Sequence, residues 1–262
     1  MCRHAVRRVL VLGARDTGKS TLCSFLADFA TRCGRSTALL DCDIGQTMIG
    51  PPACVTMSDA QGLSLAFVGT TNPVLGWRRL IEGTRRLVRR NDADLLVVNT
   101  SGLLSGPGLR LKAAKIDVLQ PDLLIALGED PVLAAMAGER ASPPVLRLPS
   151  SPESRRKTDG ERRAARREAF RSYFAGATIL RVERRMVQAM DRDAPLSCDL
   201  LVGLSDGEGA DLGMGLLRGA EGETLEVLSP VGARNIAGVV PGLLCLDGNF
   251  GERPAATQPL HA

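Results

Sequence analysis

Residues 6–20, VRRVLVLGARDTGKS, decide how the rest of the chain is interpreted. The mostly apolar stretch Val6–Leu12 predicts a buried parallel strand, and it leads directly into the pattern G-x-x-x-x-G-K-S. Apolar residues at helical spacing follow over residues 19–33. A strand, a glycine-rich loop and a helix in this order place backbone N–H groups and a helix N-terminus around a phosphate. The sequence therefore predicts a nucleotide phosphate site at residues 13–20, against the alternative of an ordinary glycine-rich turn.

The polar residues of this loop have predicted contacts with a nucleotide. Lys19 would reach the β- and γ-phosphates, the Ser20 hydroxyl would bind Mg²⁺, and Thr21 would lie near the α-phosphate. ATP or another NTP, together with Mg²⁺, is therefore the expected ligand set. The predicted nucleotide-binding residues are Gly13, Asp16, Thr17, Gly18, Lys19, Ser20 and Thr21.

Two carboxylates follow the next predicted strand, Thr37–Leu40. Asp41 and Asp43 lie two residues apart, so on an extended chain they point to the same side. One carboxylate can hold Mg²⁺ while the other accepts a proton from an attacking hydroxyl. We predict both as metal ligands and Asp43 as the general base. The alternative is that Asp41 caps a turn and that Asp43 is only solvated.

Strands and helices alternate along the chain up to about residue 150, which predicts an α/β fold of the P-loop NTPase type. Its sheet would be parallel, with helices on both faces. After about residue 196, short apolar runs broken by glycines predict a small C-terminal β region. The predicted division is a P-loop domain over residues 1–195, a β appendage over 196–250 and a flexible tail over 251–262. The other predicted strands are Leu63–Val68, Leu95–Asn99, Leu123–Leu127 and Val145–Leu148, and the other helices are Pro73–Arg90, Leu109–Leu119 and Pro131–Gly138.

Charge is unevenly distributed along the chain. The whole sequence has a net charge of +4, but residues 155–192 carry +7 and residues 193–262 carry −7. A concentrated basic segment favours an anionic partner. Its arginines are spaced at i, i+4 and would form two adjacent rows on a helix within residues 150–176. The alternative is a solvated helix that is partly paired with its own glutamates. The arginines concerned are Arg162, Arg163, Arg166 and Arg167.

The cysteine pattern bears on the compartment. Seven cysteines without a CxxC pair, and two histidines, predict neither a zinc site nor a disulfide framework. Reduced thiols of this kind favour a cytoplasmic protein. The sequence contains no apolar run of roughly 18–20 residues, so we expect no membrane association through a spanning helix.

Several motifs together resemble one family. GARDTGKST at residues 13–21, followed by LDCDIGQTMIGPPACVTM at residues 40–57, is similar to the polynucleotide 5′-hydroxyl kinases. These are the RNA kinases associated with messenger, transfer and ribosomal RNA processing, and their prokaryotic relatives. FVGTTNP at residues 67–73 resembles the family's strand and turn near the substrate, and NTSGL at 99–103 resembles its Asn-Thr-x-Gly-Trp clasp. Residues 162–171 resemble its arginine-bearing lid, and the likeness extends over about residues 6–247.

The resemblance implies transfer of the γ-phosphate of ATP or another NTP to the 5′-OH end of RNA or DNA. Asp43 would act as the general base, while Lys19, Arg163 and Arg167 would offset the charge of the transferring phosphate. For Thr71 and Asn72, a helix N-cap role is an equal alternative to phosphate binding. The implied substrate-binding residues are Gln46, Thr71, Asn72, Thr100 and Gly102.

Two departures from the family pattern favour a compact prokaryotic-type member. Leu103 replaces the clasp tryptophan, which removes a stacking platform for a terminal base. The chain also begins at the first P-loop strand, without the N-terminal β domain of the larger eukaryotic members. Two other functions remain open: a catalytically weak ATP-binding scaffold of an RNA-processing complex, and a small-molecule P-loop kinase or ATPase.

Overall fold

The computed structural model describes residues 6–130, 143–188, 196–232 and 235–255, which form two β-sheets and four α-helices. In the first sheet, β4-β3-β2-β5-β1-β6-β7 is the spatial order of the strands. Its strands are β1 (Arg8–Gly13), β2 (Thr37–Cys42), β3 (Cys54–Asp59), β4 (Gly62–Phe67), β5 (Leu95–Thr100), β6 (Leu123–Leu127) and β7 (Val145–Leu148). The helices are α1 (Lys19–Arg32), α2 (Trp77–Arg90), α3 (Pro107–Leu119) and α4 (Asp159–Tyr173).

The centre of this sheet is parallel, as predicted. Strands β2, β5, β1, β6 and β7 pair in parallel, and all six residues of β5 are buried. Side chains of β1 alternate between two cores: Leu10 packs with residues of α2 and α3, and Val11 packs with residues of α1. Helices therefore cover both faces of the sheet, and the predicted fold class is confirmed.

One edge of the sheet differs from the prediction. Strand β3 was not predicted, and it pairs in antiparallel fashion with both β2 and β4. Only Ala60 and Gln61 separate β3 from β4. A connection this short allows a hairpin but not a parallel crossover, which needs a dozen or more residues.

The second sheet is antiparallel, with strand order β13-β12-β9-β10-β11-β8. The predicted domain boundary at residue 195 lies after β8, so the domain division stays a prediction. The tail that was expected to be loose contains β13, which pairs with β12, while residues 256–262 and the predicted helix at 131–138 lie outside the described residues. The strands are β8 (Thr178–Glu183), β9 (Leu200–Ser205), β10 (Asp211–Glu221), β11 (Thr224–Ser229), β12 (Gly238–Leu246) and β13 (Glu252–Pro254).

Helix α4 links the two sheets. A capping box fixes its first turn: the Thr158 hydroxyl accepts the Glu161 backbone N–H, and the Glu161 carboxylate accepts the Thr158 N–H. At its other end, Phe170 and Phe174 are buried against residues of the second sheet. The basic segment therefore contains a helix whose C-terminal end packs against the second sheet through apolar side chains. None of the described helices is long and apolar enough to span a bilayer.

Candidate active site

A cavity of about 940 Å³ lies at the edge of the parallel sheet where its central strands end. This is the edge at which open α/β sheets bind ligands. The P-loop, the turn after β2, the loop before α2 and the loop after β5 line it on the sheet side, and α4 lines it on the opposite side. The sequence-predicted residues that line it are Asp16, Thr17, Gly18, Lys19, Ser20, Thr21, Asp43, Gln46, Thr71, Asn72, Gly102 and Arg163.

Two side chains of the P-loop bond to a backbone carbonyl oxygen of the same loop. Gly18 has a φ of 89° at the N-cap of α1, a left-handed conformation that glycine adopts without strain. Lys19 donates to the Ala14 carbonyl oxygen at 2.5 Å, and the Thr17 hydroxyl donates to the same oxygen at 3.0 Å. Burial lowers the pKa of Lys19, whereas the negative charges of Asp43 and Asp16 raise it.

The two carboxylates after β2 have different surroundings. Asp41 is fully buried: one oxygen accepts the Asp43 N–H at 2.9 Å and the other accepts the Met48 N–H at 2.5 Å. Burial, and then the charge of Asp43, raise the pKa of Asp41 to about 7. Asp41 does not line the cavity, so its direct contact with Mg²⁺ stays a prediction. The alternative role, holding a turn, fits its contacts.

Asp43 is aimed into the cavity by that turn. Its Oδ1 accepts the backbone N–H groups of Gly45 at 3.2 Å and Gln46 at 3.0 Å. The Gln46 amide donates across the cavity to the Arg162 carbonyl oxygen at 3.3 Å. A carboxylate held by two N–H donors keeps its second oxygen available for a substrate proton or a cation.

Asn99 lies near the end of β5, and its place in the NTSGL motif does not by itself indicate a role. Its Nδ2 donates to Asp41 Oδ1 at 3.0 Å and lies 3.5 Å from the Ser20 hydroxyl oxygen. In the part of the chain that the structure describes, its buried Oδ1 has no hydrogen-bond partner. A buried acceptor without a donor is costly, so an ordered water is a fitting partner. Ser20 and Asp43 line the cavity with oxygen atoms that fit Mg²⁺, whereas Asn99 bonds to Asp41 and does not line it.

Two predicted substrate-binding residues lie at the end of β5 and just after it, and only one of them faces the cavity. Thr100 is fully buried, and its hydroxyl donates to the Val11 carbonyl oxygen at 2.8 Å. This bond ties β5 to β1 and leaves the Thr100 side chain outside the cavity lining, so its contact with a phosphate stays a prediction. Gly102 lines the cavity and lies against the P-loop: a Cβ here would be 2.5 Å from the Arg15 backbone nitrogen.

The loop before α2 carries two predicted substrate contacts. Asn72 Oδ1 accepts the Val74 N–H at 2.9 Å, and the first helical residue is Trp77. Asn72 therefore stabilises the turn that precedes α2 instead of capping the helix. The Thr71 hydroxyl donates to Glu252 of β13 at 2.8 Å. Both residues still line the cavity, so both can contact a substrate.

The two arginine rows of α4 have different surroundings. Arg162 forms an ion pair with Asp16 of the P-loop, and Arg166 donates to Glu252 at 2.7 Å. Arg163 lines the cavity, whereas Arg167 does not. Of the pair predicted to act in catalysis, only Arg163 is therefore placed for it. The row formed by Arg162 and Arg166 fastens the helix to the P-loop and to the second sheet.

We expect the Asp16–Arg162 pair to stabilise the contact between α4 and the P-loop. The two side chains are only 11% and 12% exposed, and a mostly buried pair couples more strongly than a solvated one. A double-mutant cycle with Asp16→Ala and Arg162→Ala should give a coupling free energy of unfolding of about 1–3 kcal/mol. The measurement is urea unfolding of the wild type, both single variants and the double variant.

The control cycle uses Glu168 and Arg171 on the same helix, whose side chains are 66% and 51% exposed. Its coupling should be at most about 0.5 kcal/mol. Equal couplings in the two cycles would contradict the assignment of Asp16 and Arg162 as the fastening.

The sequence model of the family described as mRNA cleavage and polyadenylation factor CLP1 P-loop matches residues 13–176. This range holds the P-loop, the turn after β2 and the basic helix. The chain belongs to this family. The resemblance to the polynucleotide 5′-hydroxyl kinases is therefore confirmed.

Curated relatives of this CLP1-family chain include archaeal enzymes. A polyribonucleotide 5′-hydroxyl-kinase of Pyrococcus furiosus is 32% identical over 189 residues, which cover 66% of this chain and 52% of that protein. One of Methanocaldococcus jannaschii is 26% identical, over 88% of this chain and 84% of that protein. The match thus spans about half the length of the first relative.

A solved structure supports the fold of this CLP1-family chain. The wild-type Clp1p–Pcf11p (454–563) complex superposes with a TM-score of 0.69 over 92% of this chain and 75% of that one. The identity is 13%, so the likeness concerns the fold alone. It confirms the P-loop α/β architecture with an additional β region.

Proposed function

We propose that this protein is a polynucleotide 5′-hydroxyl kinase that transfers the γ-phosphate of ATP or another NTP to the 5′-OH end of RNA or DNA. The observation that carries the proposal is one cavity in which the Asp43 carboxylate faces Lys19 and Ser20 beneath the basic helix α4. Phosphate transfer needs this combination of a proton acceptor, phosphate ligands and positive charge. The archaeal relatives named as polyribonucleotide kinases support the same activity.

Asp43 is the general base of the proposed reaction. Its Oδ1 is held by two backbone N–H groups, so Oδ2 is the atom that accepts the proton of the 5′-OH as that oxygen attacks in line. Gln46, beside it, orients the hydroxyl. Lys19 exchanges its bond to the Ala14 carbonyl for the phosphate oxygens, where it offsets their charge.

Ser20 would hold Mg²⁺, whereas the free Oδ2 of Asp43 is reserved for the proton of the 5′-OH. Asn99 Oδ1 would accept a hydrogen bond from an ordered water near Ser20. A bound Mg²⁺ would neutralise negative charge on the phosphates. Asp41 holds the turn that aims Asp43. The nucleotide lies on the backbone of residues 13–18, with Thr21 beside it.

The nucleic-acid end enters between α4 and the loop that carries Thr71 and Asn72. Both residues line the cavity, and in the proposed binding mode they contact the first phosphate of the strand. A cytoplasmic location remains our proposal, and four of the described cysteines are buried as free thiols: Cys23, Cys42, Cys54 and Cys245.

An assay with γ-labelled ATP, Mg²⁺ and 5′-OH oligonucleotides of RNA and DNA tests the proposal. Label transfer to an oligonucleotide is the expected result, and the ratio between RNA and DNA defines the substrate. Tight ATP binding without transfer would favour the scaffold function instead. ATP consumption without labelled oligonucleotide would favour a small-molecule kinase or ATPase.

Within this reaction, we expect Arg163 to contribute more than Arg167. Arg163 lines the cavity, so Arg163→Ala should lower the single-turnover transfer rate about 10–100-fold. Arg167→Ala should have a smaller effect, and the exposed Arg171→Ala serves as the control on the same helix. A larger loss from Arg167→Ala would reverse the assignment.

A further inference from the structure

Two of the chain's four lysines are buried in a helix that does not line the active-site cavity. Lys112 and Lys115 lie on α3 and are 2% and 1% exposed. Lysine is almost never fully buried unless its ammonium group is paired. Neither the nucleotide site nor the proposed mechanism uses these two residues, so their burial requires a separate explanation.

Both ammonium groups bond to backbone oxygen atoms at the ends of strands that form the site: Cys42 is the last residue of β2, and Ser101 follows β5. Lys115 Nζ donates to the Cys42 carbonyl oxygen at 2.9 Å. Lys112 Nζ donates to the Ser101 carbonyl oxygen at 2.6 Å and lies 3.4 Å from the Thr100 hydroxyl. The two lysines are three residues apart, so one helix face reaches the ends of β2 and β5 together.

These carbonyl groups belong to the residues that immediately precede functional ones. Cys42 precedes Asp43, the proposed base. Ser101 precedes Gly102, which lies so close to the P-loop that a Cβ would contact the Arg15 backbone. Holding the Cys42 carbonyl group therefore restrains the backbone of Asp43. Holding the Ser101 carbonyl group restrains Gly102, which lies against the P-loop.

The arrangement works against the stability of the fold. In the part of the chain that the structure describes, neither lysine forms an ion pair with a carboxylate. Burial, and then the positive charges of Lys115 and Lys19, lower the pKa of Lys112 to about 7, while Asp43 raises it. A buried ammonium group without a partner charge is expensive, and an apolar side chain of the same shape costs less.

We propose that Lys112 and Lys115 are positioning residues for phosphate transfer: from α3 they hold the backbone on which Asp43 and Gly102 stand. Lys115 sets the position of the base, and Lys112 sets the contact between Gly102 and the P-loop. This inference rests on the proposed kinase function for Lys115. For Lys112 it rests only on nucleotide binding.

The test separates positioning from a structural role. Lys115→Met removes the donor and keeps the length of the side chain. It should lower kcat about 10–100-fold, the order expected for a displaced catalytic group, and should leave the KM for ATP within twofold. Lys112→Met should instead weaken nucleotide binding about tenfold. Urea unfolding should show both variants to be about as stable as the wild type, because removal of a buried charge offsets the loss of one hydrogen-bond donor to a carbonyl oxygen.

Ile116→Met is the matched control, since Ile116 is buried on the same helix and its apolar side chain donates no hydrogen bond to the backbone of the site. An unchanged kcat in Lys115→Met, or a variant that is less stable or unfolded, would overturn the role of Lys115. Unchanged nucleotide affinity would overturn that of Lys112. If the wild type transfers no phosphate to any 5′-OH end, the kinase proposal and the role of Lys115 fail together, while nucleotide affinity of Lys112→Met still decides Lys112.

Discussion

Asp43→Asn is expected to lower phosphate transfer to a 5′-OH end by about 10²–10⁴-fold while ATP affinity stays within a few-fold of wild type. The variant keeps an Oδ1 that accepts the Gly45 and Gln46 N–H groups, so the turn remains formed. It loses the basic oxygen that removes the proton of the attacking hydroxyl. Single-turnover quench experiments, together with equilibrium nucleotide binding, measure the two effects separately.

Asp59→Asn provides the control for this substitution. Asp59 also accepts a backbone N–H two residues along the chain, from Gln61 at 2.8 Å, but it lies at the end of β3 and outside the cavity. Its transfer rate should equal that of the wild type. A wild-type rate in Asp43→Asn would show that another group takes the proton.

Gly102→Ala is expected to weaken nucleotide binding at least tenfold and to reduce transfer with it. The added Cβ would lie 2.5 Å from the Arg15 nitrogen and 2.7 Å from both the Arg15 Cα and Cγ. Two of these atoms belong to the P-loop backbone, which cannot move aside as a flexible side chain can. The loop that surrounds the phosphates must therefore shift, and preorganised N–H donors lose their alignment.

Calorimetric ATP titration measures this effect, and Gly248→Ala is its control. Gly248 has open space where a Cβ would be built and no positive φ, so the substitution should leave binding unchanged. Wild-type affinity in Gly102→Ala would mean that the loop after β5 does not support the P-loop.

The P-loop, its flanking strand and helix, and the basic helix could be predicted because their signals are local. The glycine spacing dictates the loop, and the apolar run of β5 dictates a central parallel strand. Strand β3 was missed because its pairing depends on partners on both sides. Its first four residues, Cys54–Met57, fall within the motif at residues 40–57, which by itself does not indicate a strand.

Side-chain direction at the strand ends could not be predicted. Thr100 and Asp41 stand at the correct edge of the sheet, yet both point into the protein and bond to neighbouring backbone groups. Their orientation depends on which strands lie alongside, which a single sequence does not state. The sequence could not distinguish the two arginine rows for the same reason, because Arg162 pairs with Asp16, which lies 146 residues away in the chain.

The bonds of Glu252 change how the second sheet is understood. This carboxylate on β13 accepts hydrogen bonds from the Thr71 hydroxyl and from Arg166. The outermost strand of the antiparallel sheet therefore joins the loop before α2 to α4. A fragment that ends before β13 would leave Arg166 without its ion-pair partner and Thr71 without its hydrogen-bond acceptor. The position of α4 over the cavity is therefore expected to depend on residues at the far C-terminal end of the described chain.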